Sequence, residues 1–422
     1  MKYKEYKTIQ LSNGASIKII EDDRFNSIIF QTIYRVKITC KEDLLKCELL
    51  VSLLKRSTEK YKSTRDYYMK LNSLYNLKIN IHFRLINDYL ILLFTMNVLN
   101  SSIIGENIFI ECLNLLKQAI YNPNIIDGCF DNDDFDRSKR SKIESIVTRN
   151  ADKRNIAFDK VVNKIAPNSH LSYSVNLSVD DCEKIKNEEI VSFYKYVLEN
   201  AIIDMYYGGV ESELVLKLIT EVFYSLPNLT KYPIALPKPI DLVNKTDIIY
   251  ENITNEFIIM TFNTYININS KLYNSMIFLD HLFGATHYSL LNQKIREELN
   301  LAYSIHSYIN NEIGLLVIVG EVLKDKNEIV INEVNNLLAS IINGEFSDEL
   351  MELVRKDILN RIQDIYDSLS MKVNKIVMND LYCKNVSLYD VINKYKSIKK
   401  QDIIEVAKIL KHNYTLIMKE KI

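Results

Sequence analysis

Apolar residues change their spacing along this chain, and the changes divide it into elements. They are dense and β-branched from Ile9 to Ile20 and again from Ser27 to Thr39. That pattern predicts two strands, and the polar residues between them, with Asn13-Gly14 as a further turn signal, read as an opening hairpin. The period then lengthens: Leu44, Cys47, Val51 and Leu54 share one face of a helix for which Asp43 is the expected cap. A short helix over Arg65–Tyr75 leads into strands Leu77–Leu85 and Tyr89–Asn97. Helical spacing runs through Glu106–Ile120, through Phe135–Ile165 as one long stretch, and from Ser178-Val179-Asp180-Asp181 to Leu198. An apolar strand, Ala201–Tyr207, closes this half.

Residues 226–243 interrupt the pattern. They carry Pro227, Pro233, Pro237 and Pro239 with little periodicity, which marks a linker between an N-terminal domain, 1–225, and a C-terminal domain, 244–422. Beyond it the alternation resumes, with helices around Ser275–Phe283 and Tyr288–Glu298, strands Tyr303–Ser307 and Gly314–Gly320, and long helices to the end. The run Ile185-Lys186-Asn187-Glu188-Glu189-Ile190-Val191 resembles Ile398-Lys399-Lys400-Gln401-Asp402-Ile403-Ile404, about half the chain away. Each run continues as an apolar helix and then a strand, Ile202–Tyr207 or Tyr414–Met418. The same order closing both halves predicts a duplicated α+β unit, two related domains in tandem.

Composition narrows the function classes. A length of 422 residues suits two domains, and 47% apolar with 25% charged residues is ordinary for a globular protein. The formal net charge of -1 gives no global field for nucleic acid or an anionic membrane. The six cysteines form no C-x-x-C pair, so neither a zinc ribbon nor a disulfide framework is expected, and reduced thiols in a cytoplasm fit better. The N-terminus lacks the apolar stretch of a signal peptide, and the longest apolar run, near Tyr89–Phe94, has the length of a buried strand and not of a membrane span. Asp131-Asn132-Asp133-Asp134 lacks the glycine and glutamate that a calcium loop needs, and reads as an acidic helix start.

One segment carries chemistry. It runs from Phe283-Gly284-Ala285-Thr286-His287-Tyr288 through Ser289-Leu290-Leu291 and Arg296-Glu297 to Leu301-Ala302-Tyr303. It resembles the second conserved block of the pitrilysin, insulinase and mitochondrial-processing-peptidase family of inverzincin metallopeptidases. An arginine offers a fixed fork of donors and a tyrosine a hydroxyl, groups that hold a peptide backbone and stabilise an oxyanion forming on a carbonyl. The resemblance gives these roles to Arg296 and Tyr303.

Active members of that family also carry H-x-x-E-H on a helix of the first domain, where two histidines bind zinc and the glutamate activates water. Here the corresponding helix reads Cys47-Glu48-Leu49-Leu50-Val51-Ser52-Leu53-Leu54 before Lys55-Arg56-Ser57-Thr58, and contains no histidine. If Ser57-Thr58 matches the small residue and threonine that follow the motif, the metal face holds Glu48, Val51 and Ser52. A carboxylate, an aliphatic and a hydroxyl cannot assemble a zinc site. No two of the six histidines are four apart. Ser57-Thr58-Glu59-Lys60-Tyr61, the helix ending at Leu71-Asn72-Ser73-Leu74-Tyr75, and Asp152-Lys153 resemble the family's zinc-less subunits.

The resemblance implies two tandem homologous α/β-sandwich domains, together half of a clam-shell. It implies a non-catalytic subunit, inactive alone and without a cofactor of its own, that pairs with a zinc-bearing H-x-x-E-H subunit and helps process small or unfolded peptides. The alternative is a peptide-binding or scaffold protein with no hydrolytic role. No nucleic-acid partner and no membrane span are expected.

Overall fold

The computed structural model describes residues 6–11, 15–210, 213–223, 234, 240–384 and 386–421. The four prolines of the expected linker and the Asn13-Gly14 turn lie outside the described residues. Packing groups the chain into two compact units that exchange segments relative to chain order. One comprises Met1–Thr148, Asn176–Ile234 and Ile365–Cys383; the other comprises Arg149–Val175, Ala235–Asp364 and Lys384–Ile422.

The first unit is built on strands β1 (Lys7–Gln10), β2 (Ser16–Glu21), β3 (Ser27–Lys37), β4 (Lys78–Ile86), β5 (Tyr89–Leu99) and β6 (Ile202–Gly209). They lie in the order β1-β2-β6-β3-β5-β4. The expected opening hairpin is therefore corrected. The span Ile9–Ile20 holds two strands, not one: Leu11 N–H donates to the Ala15 carbonyl (2.8 Å), and β1 pairs with β2. Instead of β2 meeting β3, β6 enters between them, parallel to β2 and antiparallel to β3. The reason is burial: β6 is buried at every position but Asp204, and such a strand needs neighbours on both edges and cover on both faces.

Cover comes from two sides. The helix Lys41–Leu54 buries Leu44, Cys47, Val51 and Leu54 as expected, and also Leu45, Leu49, Leu50 and Leu53, so it is apolar almost all round. Its N-cap is Cys40, while Asp43 sits in the first turn, where the helix dipole favours a carboxylate. Helix Leu369–Leu381, from late in the chain, lies against β6 so closely that a Cβ at Gly208 would stand 2.7 Å from Val373 Cγ2. Two ion pairs fasten it: Asp22 with Lys372 (2.7 Å), and Lys18 with Asp380. The Tyr6 hydroxyl also donates to Asp380 (2.9 Å). Arg24 grips Asp22 with Nε at 2.8 Å and Nη2 at 2.7 Å. Arg24 first, and then Lys372, hold the Asp22 carboxyl far below the usual carboxylate range against the opposing effect of burial.

The second unit repeats this plan with β7 (Lys245–Glu251), β8 (Glu256–Asn263), β9 (Ala302–Asn310), β10 (Leu315–Val322) and β11 (Lys411–Glu420), ordered β9-β10-β8-β11-β7. Read from the other end, five strands match the first sheet one for one, including the single parallel pair, β7 with β11 against β2 with β6. The sequence repeat falls at the same structural point in both units. Lys186 N–H donates to Glu189 (2.8 Å) and Lys399 N–H to Asp402 (2.7 Å), each opening the helix that feeds the last strand. β8 is buried at every position. Ile258, Met260 and Phe262 join the core beneath the helices of this unit, while Phe257 and Ile259 face Ala157, Val161 and Ile165.

Those last three belong to helix Lys153–Ile165. The long helix expected over Phe135–Ile165 is thus two, Asn132–Ala151 and Lys153–Ile165, parted at Asp152, whose carboxylate accepts from Arg154 N–H (2.9 Å). The stretch from Ser178 to Leu198 is likewise two helices, Val179–Lys184 opened by the Ser178–Asp181 capping box and Asn187–Asn200 opened by Glu189 accepting from Lys186 N–H. The Asp152 break is what sends the second helix to the second sheet. Ser368 caps Leu369–Leu381 after Asp348–Tyr366 in the matching place, and that helix goes to the first sheet.

Asp22→Asn should destabilise the chain by about 3 kcal/mol, because Lys372, 13% exposed, then lacks its counter-charge. In denaturant titrations the Asp22→Asn/Lys372→Met double variant should recover more than half of the loss. A double variant no more stable than Asp22→Asn would rule out the ion pair as the fastening.

Candidate functional site

On helix Lys41–Leu54, the face that would hold a metal is turned to helix Asn132–Ala151 and is already occupied. Glu48 pairs with Lys142, each side chain 20% exposed, so an ammonium supplies the positive charge that the carboxylate needs. The Ser52 hydroxyl bonds that of Ser138 (2.9 Å), and Val51 is buried. At the end of the helix Arg56 pairs with Asp134 (3.7 Å). This donor set does not fit zinc: it offers one carboxylate that already has a cation, and no imidazole. Among the described residues no group of three or more His, Cys, Asp and Glu stands together as metal ligands do.

In the second unit the block from Phe283 to Ser304 takes an unusual path. Helix Tyr273–Asp280 widens into π-helix over His281–Ala285, and a second π-helical segment spans Asn292–Glu298. π-helix is rare and concentrates at functional sites. Sequence periodicity did not anticipate it, because one extra residue per turn barely disturbs the apolar spacing. The second segment ends with Leu299 N–H donating to Lys294 O (3.0 Å) and Leu301 N–H to Ile295 O (2.9 Å), around Asn300 at φ +48°. Asparagine tolerates that left-handed turn, which drops the chain directly into edge strand β9.

Buried polar bonds hold this path. Gly284 passes so near β9 that a Cβ there would be 2.4 Å from Ser307 Oγ, which explains the glycine in the motif. Ser307 donates to Asp280 Oδ1 (2.5 Å). Asn292 Nδ2 donates both to Thr286 O (3.1 Å) and to Ile305 O (3.2 Å), bridging turn and strand, while Ser289 donates to Thr286 O (2.6 Å). Burial pushes the Asp280 carboxyl up to about 6, opposed by the Ser307 hydrogen bond.

The two residues singled out by the motif both lie on irregular backbone. Arg296 is in the second π-helical segment, exposed, with no hydrogen bond or ion pair among the described residues. Tyr303 is the extra residue of a β-bulge: Ala302 opposes Val322 and Ser304 opposes Glu321, leaving Tyr303 unmatched. The bulge decides where this side chain points. Ile305 and Ser307 face inward, so unbroken alternation would bury Tyr303; with the bulge Ala302 is inward and Tyr303 is 57% exposed. The sign of this was present in the sequence, where inward Ala302 and Ile305 stand three apart in a strand.

Asp280 keeps its proton to about pH 6 in the folded chain, against an ordinary value of 3.8. The folded state therefore binds more protons between those values, and this contribution to stability is complete below 3.8 and is lost as pH rises through 6, on the order of 3 kcal/mol. Asp280→Asn should remove that slope: urea midpoints of wild type minus variant should fall from pH 4 to 6.5. A difference independent of pH would refute the assignment.

Comparison with known proteins follows the same line. The model of the "Peptidase M16 inactive domain" matches residues 184–358, the stretch that contains Arg296 and Tyr303. A "probable inactive metalloprotease YmfF" of Bacillus subtilis (strain 168) is 20% identical over 416 residues, covering 96% of each chain. Among solved structures, a conserved protein from Enterococcus faecalis V583 superposes with a TM-score of 0.90 at 20% identity, covering 99% of both chains. A peptidase M16 inactive domain from Pseudomonas fluorescens superposes at 0.77 with 12% identity, over 99% of this chain and 98% of its own. The structural likenesses establish the fold, and the family model over residues 184–358, the full-length relative and the occupied metal face agree on the rest: together they support the M16 peptidase family, on its inactive, metallopeptidase-like branch, as the family of this chain.

Proposed function

We propose that this chain is the non-catalytic subunit of a heterodimeric zinc metallopeptidase of the cytoplasm, binding small or unfolded peptides and presenting Arg296 and Tyr303 to them. One observation carries the reading: an arginine and a tyrosine without partners among the described residues are set at the surface by a π-helical segment and a β-bulge, while the metal face of the same chain is filled by Glu48 and Lys142. Irregular backbone costs stability, and a surface that needed only solubility would not require it. The six cysteines stand as free thiols, in keeping with a reducing compartment. Among the described residues no helix is long and apolar enough to cross a membrane.

In this division of labour the partner's zinc supplies the activated water. Arg296 donates to carbonyl oxygens of the bound peptide and fixes its register. The Tyr303 hydroxyl donates to the oxygen on which negative charge develops, an interaction that strengthens along the reaction.

Two experiments test the proposal. The purified chain should bind no stoichiometric zinc and cleave no peptide; zinc-dependent cleavage by this chain alone would refute it. In the assembled pair, Arg296→Ala and Tyr303→Phe should each lower turnover roughly 100-fold while zinc content stays constant. Full turnover in the double variant would assign the chain instead to a scaffold.

A further inference from the structure

The first unit has an edge of its own. Strand β4 ends its sheet in the place that β9 takes in the second, and a groove of about 570 Å³ runs along it, walled also by helices Thr64–Ser73 and Leu369–Leu381. Its charge is one-sided. Lys55, Lys78 and His82 line it, the two lysines exposed and the histidine half-buried, and no aspartate or glutamate is among its lining residues. The rest of the polar lining is amide and hydroxyl, with Asn80, Asn97, Asn374 and Ser370 at the walls. Burial first, and then Arg84 and Lys55, act against the charged form of His82, so the ring enters the groove as a neutral group between cations.

One buried polar group points to an occupant. Tyr67 lines the groove, is only 2% exposed, and its hydroxyl has no hydrogen-bond partner among the described residues. Buried hydroxyls and amides are rarely left unsatisfied, because each costs on the order of 1–3 kcal/mol. A ligand that brings acceptors and negative charge would satisfy Tyr67 and neutralise Lys55 and Lys78 together.

We propose that this groove binds the carboxylate of an extended peptide lying along β4, with Lys55 and Lys78 as its counter-charges, the His82 ring N–H as a neutral donor and Tyr67 as a buried donor. A strand edge offers unpaired backbone groups to an extended chain, while the cations select what that chain carries. The inference rests on the peptide-binding reading above and adds its substrate class: peptides with an acidic side chain or a free C-terminus at this point.

The full chain can be titrated by fluorescence anisotropy with four labelled eight-residue peptides of alternating valine and threonine. One has a central glutamate and an amidated end, one a central glutamine and an amidated end, one the glutamine with a free C-terminus, and one a central lysine with an amidated end. At least one carboxylate peptide should bind ten-fold or more tightly than the uncharged one, and which of them does so tells side chain from terminus. That advantage should vanish in Lys55→Gln/Lys78→Gln, whose sites are exposed, and shrink at high salt. Equal binding of all four peptides, or tightest binding of the lysine peptide, would overturn the carboxylate assignment and leave peptide binding intact. Absence of binding by every peptide would also overturn it, and the turnover of the Arg296→Ala pair would then decide the wider reading separately.

Discussion

A sheet whose central strands are apolar on both faces must be covered on both, and that constraint organises this molecule. β6 and β8 are buried almost throughout, so neither sheet is stable with helices on one side only. In each unit one cover is local in the chain and the other arrives from elsewhere: Lys153–Ile165 for the second sheet, Leu369–Leu381 for the first. The breaks at Asp152 and Ser368 are what make the exchange possible, and the Asp22–Lys372 and Lys18–Asp380 pairs fasten one end of it. Folding of either unit is thereby tied to chain from the other half of the sequence.

Saturating the interiors in this way leaves chemistry only at the margins. The edge strands β4 and β9 occupy equivalent places in the two units, and the features unexplained by packing gather there. At β9 they are two π-helical segments, a left-handed Asn300 and a bulge, which cost stability and yield an exposed Arg296 and Tyr303. Beneath them Asp280, Ser307, Asn292 and Gly284 fix the path without reaching solvent. At β4 the backbone is regular and the chemistry lies in the side chains, a row of cations and amides beside the buried Tyr67 hydroxyl, which lacks a partner among the described residues.

Much of this was legible in the residues. The strand and helix alternation, the repeat at Lys186 and Lys399, the filled metal face and the motif around Arg296 all rest on local pattern, and local pattern survives folding. The opening hairpin did not hold, because the neighbour of β2 is β6, far away in sequence, and no local signal announces such a pairing. The long helix over Phe135–Ile165 hid its break because Asp152 interrupts no apolar period; it acts as a cap. Tyr303 was identified by motif alone, while its exposure depends on a one-residue change of phase between Ala302 and Ile305. The groove at β4 was missed although Lys78, Asn80 and His82 alternate with Ile79 and Ile81, since alternation marks a strand and says nothing about an absence of carboxylates around it.

What began as a missing motif becomes a positive arrangement. Glu48 faces Lys142 where a metal's donors would be, so the loss is built into the packing of two helices and a single reversion would not restore it. The proposed division of labour places the metal in another chain. Its most direct test is to isolate the tagged protein from its native host under gentle conditions, identify what accompanies it, and assay zinc in the complex and in the separated chain. The account predicts an H-x-x-E-H protein in equimolar amount, with the zinc residing wholly in that partner. Stoichiometric zinc in this chain on its own, or a functional complex with no zinc-binding member, would contradict it.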